Sequence, residues 1–167
     1  MSKKHKKKAK LLLPAHDAHL FSCGFSPECG GKPRCVFLLS ELWDEEKERS
    51  YSAQLELRDV AAFEAVLNVF DDPLGSDVGG FYELFGRKRK IDLLERCFAR
   101  RRELWLLPGT YDYDPDDPWD LLNSREELKG FAKKKRLKKY HLYLLEKQGG
   151  GFLILAKKYR IREIESE

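Results

Sequence analysis

The clearest pattern of hydrophobic and polar positions lies between residues 34 and 70. Residues 35–43 are almost continuously apolar, which is typical of a strand that is covered on both faces. Residues 51–58 alternate between apolar and polar side chains, so they predict a strand with one buried and one solvated face. The charged residues 44–49 between them predict an exposed hairpin turn.

A helix is predicted directly after this hairpin, over residues 59–70. Asp59 is placed to cap it by accepting a hydrogen bond from an amide of the first helical turn. Pro73 follows closely and would end the helix. The apolar stripe at helical spacing consists of Val60, Phe63, Val66, Leu67 and Phe70. The sequence therefore predicts a ββα unit whose helix packs on its own hairpin.

Three further elements are predicted from the second half of the chain. Apolar residues at helical spacing predict a second helix over residues 87–103. A Ser-x-x-Glu capping box at Ser124 predicts a third, shorter helix. Two apolar segments, residues 139–147 and 152–161, flank a run of three glycines, which is typical of a second hairpin.

These elements predict an α+β fold, with an antiparallel sheet of four to five strands (two hairpins) and two to three helices packed on it. Residues 1–13 are predicted to be a disordered basic tail, residues 14–163 a single α+β domain, and residues 164–167 a frayed C-terminus. Between the main elements, residues 73–86 predict a loop leading into a helical turn, and residues 104–107 a short strand.

The distribution of charged residues along the chain says more about function than the net charge of +4 does. Charged residues make up 36% of the chain, above the roughly 25% of ordinary domains. Residues 87–102 carry eight Lys or Arg against two acids, and residues 129–139 carry seven against none. Residues 103–127 reverse the sign, with eight acids against one Arg. Such blocks favour an anionic partner, although a solvated charged surface is the alternative.

Membrane insertion and secretion find no support in the hydrophobic pattern. No apolar run approaches the ~18–20 residues that a transmembrane helix needs. The apolar residues 11–13 after the basic N-terminus are too few for a signal peptide. We therefore expect a cytoplasmic protein, or a nuclear one in a eukaryote, with reduced cysteines and no membrane partner.

One group of residues has the right chemistry for zinc. His16, His19, Cys23, Cys29 and Cys35 supply imidazoles and thiolates, which are the usual zinc ligands. Their Cys-x5-Cys-x5-Cys spacing lacks the short Cys-x2-4-Cys unit of zinc sites, so the interpretation adopted is no metal and a hairpin with buried cysteines. Zinc binding stays open as the alternative.

No catalytic or cofactor motif is complete. Gly79-Gly80 lacks the rest of a phosphate-binding loop. The acidic segment 111–120 resembles a calcium loop at its first positions, but Asp117 and Asn123 replace the glycine and glutamate that the pattern requires. His141 has no Cys or acidic partner at catalytic spacing. We therefore predict no enzyme activity, no catalytic residues and no cofactor.

The basic blocks predict a non-enzymatic nucleic-acid-binding protein whose partner is RNA or single-stranded DNA. Cations neutralise phosphates, and nearby aromatic residues (Phe131, Tyr140, Tyr143 and Tyr159) would stack on bases. The predicted nucleic-acid-binding residues are Arg87, Lys88, Arg89, Lys90, Arg100, Arg102, Lys133, Lys134, Lys135, Arg136, Lys138, Lys139 and Tyr140. The alternative is an accessory subunit that docks on a larger protein complex through its alternating basic and acidic blocks.

Overall fold

The computed structural model describes residues 8–26, 33–66, 77–105 and 137–164. Within these ranges the chain forms eight strands, one α-helix and one short 3-10 turn. The helix, α1, spans Arg87–Trp105, and the 3-10 turn spans Leu137–Lys139. The strands are β1 (Ala9–Ser26), β2 (Arg34–Asp44), β3 (Arg49–Arg58), β4 (Ala62–Val66), β5 (Asp77–Leu84), β6 (His141–Lys147), β7 (Gly150–Ala156) and β8 (Lys158–Ile164).

All eight strands belong to one antiparallel sheet with the order β4-β7-β6-β5-β1-β2-β3-β8. The two ends of this order are joined, because β3 runs into β4 and β7 runs into β8 across short bends. At the bends, the Lys157 amide donates to the Arg58 carbonyl at 3.1 Å. The Ala61 amide likewise donates to the Leu155 carbonyl at 2.8 Å. β3 and β4 thus form one long bent strand, and β7 and β8 form another. These two long strands pair along their length, so the sheet closes into a cylinder of six continuous strands.

The inner face of this cylinder holds the main hydrophobic core. Alternate residues of β2 and β3, including Phe37 and Leu55, are completely buried there. Phe37 and Phe63 both contact Phe152, with ring centroids 5.0 and 5.8 Å away. A second aromatic cluster, with centroids 5.4 to 5.5 Å apart, consists of Phe81, Tyr143 and Tyr159. Burial of these side chains stabilises the cylinder and fixes which residues of each strand point outward.

The helix α1 covers part of the outer face, over β4, β6 and β7. Its buried residues Leu93 and Leu94 pack against a second apolar cluster on these strands. Glu64 of β4 is buried beneath the helix and accepts hydrogen bonds from Nε and Nη2 of Arg96, at 2.8 to 3.1 Å. Apolar and charged contacts thus hold α1 on the sheet. In the described part of the chain, no helix is both long and apolar enough to cross a membrane.

The α+β prediction is wrong, because the described residues form mostly antiparallel sheet with a single α-helix and so come closer to all-β. The largest error concerns the helix predicted over residues 59–70. Residues 62–66 form β4, paired in register with β7, and Asp59 has a left-handed backbone (φ 56°) instead of capping a helix. A period of two also fits this segment, because Phe63 packs in the cylinder while Glu64 lies under α1. Pairing with β7 therefore overrides the helical pattern.

Three smaller predictions are also corrected by the strand and helix boundaries. Residues 77–84 form β5 and not a loop, since they pair with β1 on one side and β6 on the other. Residues 9–13, which were predicted within the basic tail, belong to β1 because they pair with β5. Residues 104–105 continue α1 and do not begin a strand. The helix predicted at Ser124 lies outside the described residues.

The two predicted hairpins and the helix at residue 87 are confirmed. The β2–β3 turn is stabilised by Asp44, whose Oδ1 accepts hydrogen bonds from the Glu46 and Lys47 amides at 3.1 and 3.2 Å. The second strand of the other hairpin differs from the prediction, because it bends at Lys157 and divides into β7 and β8. These bends bring β8 beside β3, which places its charged side chains next to those of the first hairpin.

Candidate nucleic-acid interface

The outer face of β2, β3 and β8 carries a dense group of cations, which we call the sheet face. Register places Arg34 directly opposite Arg58, and Arg58 directly opposite Lys158, so that three cations form one row across three strands. Like charges in directly opposite positions destabilise a sheet. The row therefore requires compensating negative charge. The sheet face consists of Arg34, Arg58, Lys158, Arg160 and Arg162.

Glu56 supplies one negative charge within the sheet face. Its carboxylate accepts hydrogen bonds from Nη2 of Arg58 at 2.8 Å and from Nη1 of Arg34 at 3.2 Å. These bonds, from Arg58 first, hold the pKa of Glu56 below its usual value although burial opposes them. The residue is only 5% exposed, while both arginine side chains remain partly open to solvent. One carboxylate thus fixes two guanidinium groups at the surface.

The remaining three cations lie along β8. Lys158, Arg160 and Arg162 occupy alternate positions of the strand and are exposed. Their side chains form no ion pair with any of the residues that the structure describes. Residues two apart in a strand are about 6.6 Å apart along its axis. The outer face of β8 therefore presents a row of regularly spaced positive charges.

The far end of the same strands has the opposite charge. The β2–β3 turn contains Asp44, Glu45, Glu46 and Glu48, and its Lys47 is paired with Asp44 at 3.1 Å. Trp43, which is 56% exposed, lies at this end and not among the arginines. Acidic side chains repel phosphate, so an anion bound to the sheet face would have to stop before the turn.

A second group of cations surrounds the N-terminus of α1, and we call it the helix start. Four basic residues, 87–90, occupy the first helical turn, which contains no acid. Cations are unfavourable there because the helix dipole places partial positive charge at this end. Two other segments reach the same place. The helix start consists of Lys8, Lys10, Arg87, Lys88, Arg89, Lys90, Lys138 and Lys139.

Backbone contacts hold these three segments together. Nη1 of Arg89 donates to the Lys8 carbonyl at 3.3 Å, and the Phe85 amide donates to the same carbonyl at 3.1 Å. Nζ of Lys90 donates to the Tyr140 carbonyl, next to Lys139. Partial burial lowers the pKa of Lys90, so this side chain serves packing as well as charge.

Tyr140 and Lys157 connect the two basic surfaces. Nζ of Lys157 lies 5.2 Å from the centroid of the Tyr140 ring and 3.6 Å from a carboxylate oxygen of Asp59. Lys157 directly precedes Lys158 of the sheet face, and Tyr140 directly follows Lys139 of the helix start. The two surfaces are therefore neighbours.

The structure brings together about half of the binding residues that the sequence predicts. Residues 87–90 and 138–140 meet at the helix start, as described above. Arg100 and Arg102 belong to α1, but their side chains lie outside the described part of the molecule. Lys133, Lys134, Lys135 and Arg136 also lie outside the described residues.

The predicted stacking aromatics have a different place from the one expected. Tyr143 is buried in the aromatic cluster inside the cylinder, so it cannot stack on a base. Tyr159 is 39% exposed, but its ring packs against Phe81 and Tyr143 of the same cluster. Phe131 lies outside the described residues, which leaves Tyr140 at the basic surfaces. The cations therefore dominate the candidate interface.

The sheet face itself was missed by the sequence analysis. Its signal is the alternation Lys-Tyr-Arg-Ile-Arg over residues 158–162, which points cations outward and Tyr159 and Ile161 inward. Counting like charges in consecutive runs overlooks such a pattern, because apolar residues separate the cations. Arg34 and Arg58 join the array only through strand register, which the sequence does not reveal.

The residues considered for metal binding or catalysis form no complete site in the described part of the chain. No group of three or more His, Cys, Asp or Glu side chains there could hold a metal ion. Cys23 and Cys35 are neighbours on β1 and β2, whereas Cys29 lies outside the described residues. His141 does have an acidic partner, since its Nδ1 lies 2.5 Å from Oε1 of Glu83.

Comparison with known proteins gives no match, whether with protein-family models, with curated proteins or with solved structures.

Proposed function

We propose that this chain is a non-enzymatic nucleic-acid-binding protein that binds RNA or single-stranded DNA through backbone phosphates. The observation that carries the proposal is the row of Arg34, Arg58 and Lys158, continued along β8. Opposed cations destabilise the free protein. Glu56 accepts hydrogen bonds from Arg34 and Arg58 and lies directly opposite Arg160 in register, whereas Lys158 has no carboxylate opposite it. A bound polyanion would offset the rest of the repulsion.

The shape of the array favours a polymer over a small anion. Lys158, Arg160 and Arg162 are spaced by about 6.6 Å along an exposed strand. This repeat is of the same order as the separation of adjacent phosphates along one nucleic acid strand. A strand lying along β8 could therefore pair successive phosphates with successive cations, and each contact would release counterions.

The helix start extends the same binding path. Because Tyr140 and Lys157 join the two surfaces, one strand could pass from β8 to Lys138 and Lys139, with Tyr140 between them. Contacts to phosphates fix the position of a strand but do not read its bases. We therefore expect the binding affinity to depend weakly on the base sequence and strongly on the salt concentration.

The test is a salt titration of oligonucleotide binding with a triple variant of β8. Lys158, Arg160 and Arg162 are changed together to Ala, and affinity for single-stranded DNA, RNA and duplex DNA is measured at several salt concentrations. The slope of log K against log salt should fall by about two to three units, near one for each lost phosphate contact. Binding should weaken equally for different sequences of one type of strand.

A matched control variant distinguishes the loss of sheet-face contacts from a general loss of positive charge. Changing Arg87, Lys88 and Arg89 to Ala removes the same number of charges from the helix start, and we expect a smaller loss of slope. An unchanged affinity and slope in the β8 variant would overturn the proposal. That result would favour the alternative of a subunit that docks on another protein through these charges.

A further inference from the structure

We propose that Cys23 and Cys35 form a redox-active thiol pair that is converted to a reversible disulfide by a low-molecular-weight disulfide such as oxidised glutathione. Cys23 pairs directly with Phe37, and Phe25 pairs directly with Cys35, so the two cysteines are diagonal neighbours on adjacent strands. Both side chains belong to the inner side of β1 and β2. A redox site of this kind goes beyond nucleic-acid binding and does not depend on it.

The two cysteines are diagonal neighbours and no disulfide joins them. Both are free cysteines. A hydrogen bond between the two thiols lowers the pKa of Cys23 and raises that of Cys35, while burial opposes the first shift and adds to the second. A thiol with a lowered pKa has a larger thiolate fraction, which is the nucleophilic form.

Exposure assigns a different role to each sulfur. Cys35 is completely buried, whereas Cys23 is only partly buried at the margin of the core. A disulfide from solution can therefore reach Cys23 first. Cys23 lies near the end of β1 and Cys35 near the beginning of β2, so the strand ends can draw together for the second step.

The reaction proceeds by two thiol–disulfide exchanges. The Cys23 thiolate attacks one sulfur of the small disulfide, forming a mixed disulfide and releasing one small thiolate. Once the strand ends draw together, Cys35 loses its proton and attacks the Cys23 sulfur, and the second small group leaves as a thiolate. The two small thiolates take up the two protons that Cys23 and Cys35 have released to solvent. Two protein S–H groups and one small disulfide thus give one protein disulfide and two small thiols. An excess of small thiol reverses both steps.

The bridge should be easy to reduce. Diagonal positions of an antiparallel pair are farther apart than directly opposite ones. Closing a disulfide there requires backbone movement, and departure from ideal geometry makes a disulfide more reducible. A reversible, regulatory bond is therefore expected here, in contrast to a permanent structural one.

The experiment uses the full chain with Cys29→Ser and Cys97→Ser, which leaves Cys23 and Cys35 as its cysteines. The reduced protein is incubated with oxidised glutathione, remaining thiols are alkylated, and peptides are mapped by mass spectrometry. We expect an intramolecular Cys23–Cys35 disulfide that dithiothreitol removes. Linked dimers, or two glutathionylated cysteines without a bridge, would overturn the proposal.

The order of attack is tested in the same background with two single variants. Cys35→Ala should trap Cys23 as its glutathione adduct, because the resolving thiol is missing. Cys23→Ala should leave Cys35 unmodified in the folded protein, because no small disulfide can reach it. Circular dichroism checks that each variant is folded, and Cys35→Ser replaces Cys35→Ala if the latter is not. A folded Cys35 variant that forms no adduct would contradict the assignment.

Discussion

The sheet face and the helix start carry the same sign of charge but are assembled differently. On the sheet face, strand register alone sets the positions of Arg34, Arg58 and Lys158. At the helix start, three separate segments meet because α1 packs on the sheet and side chains donate to the Lys8 and Tyr140 carbonyls. The first surface therefore depends on the closed cylinder, and the second on the docking of one helix.

This difference shows which structural changes should disrupt each surface. Every strand of the cylinder is paired on both sides over part of its length, so loss of the core should remove the sheet face cooperatively. The helix contacts the sheet along a smaller area, through β4, β6 and β7. A local defect under α1 should therefore disturb the helix start alone. The four predictions that follow test this contrast, from the largest expected effect to the smallest.

Leu55→Ala should cause the largest loss of stability, about 2–5 kcal/mol in the free energy of unfolding, as other buried Leu→Ala changes do. Leu55 is completely buried inside the cylinder, directly opposite Phe37 and Ile161. Chemical denaturation measures the change. Gln54→Ala, on the outer face of the same strand, is the control and should stay within about 0.5 kcal/mol. Equal small effects in both variants would contradict the orientation of β3.

Arg96→Ala should cost about 1–3 kcal/mol, because it leaves the buried Glu64 carboxylate without its bidentate partner. The loss should be local. Hydrogen exchange should become faster in α1. Nucleic-acid affinity should fall only by the part that the helix start contributes, because the sheet face stays in place. Arg96→Lys serves as the control, since it keeps the charge but not the two parallel hydrogen bonds. Equal exchange in β3 and α1 would show that the helix and the cylinder unfold as one unit.

Glu56→Gln should lower stability by about 1–2 kcal/mol and yet tighten nucleic-acid binding. Stability falls because Arg34 and Arg58 lose their shared carboxylate, and binding rises because the carboxylate no longer competes with phosphate for the two guanidinium groups. The lowered pKa of Glu56 determines how this difference in stability depends on pH. A carboxylate with a lowered pKa in the folded state stabilises the protein above its unfolded pKa and loses this effect as pH falls.

The difference in stability between the wild type and Glu56→Gln should therefore be complete at neutral pH, begin to fall near the unfolded pKa of about 4.3, and disappear only below the lowered pKa of the folded state. Denaturation curves at several pH values measure it. The control is Glu46→Gln in the exposed β2–β3 turn, which should change neither stability nor binding by much. A Glu56→Gln variant that binds nucleic acid more weakly would show that the carboxylate orients the arginines for binding and does not compete with the ligand.

The contrast between the two surfaces also explains what the sequence could and could not predict. The hairpins and α1 were predictable because their patterns are local, such as the alternation in β3 and the leucines of the helix. The helix start was partly predictable, since residues 87–90 and 138–139 are runs of cations that need no fold to be seen. The sheet face needed the pairing of β3 with β8, over a hundred residues apart in sequence.

The largest error, at residues 59–70, has the same physical origin. Val60, Phe63 and Val66 fit a helical stripe, but β4 is selected by its pairing with β7 and by the burial of Glu64 under α1. Neither partner is close in sequence. Local patterns cannot decide between two periods when both faces of a short segment are covered, as they are here.

Lys88→Glu should have the smallest effect on stability, and with the opposite sign. Lys88 is exposed in the first turn of α1, where a cation opposes the helix dipole and an acid would favour it. The substitution should therefore stabilise the protein by about 0.3–1 kcal/mol. If the helix start binds phosphate, the same substitution should reduce the salt slope by about one unit. Lys47→Glu, in the acidic β2–β3 turn, makes the same change in charge far from the helix and should not increase stability. A Lys88→Glu variant that is more stable and binds equally well would remove the helix start from the binding path and leave the sheet face as the interface.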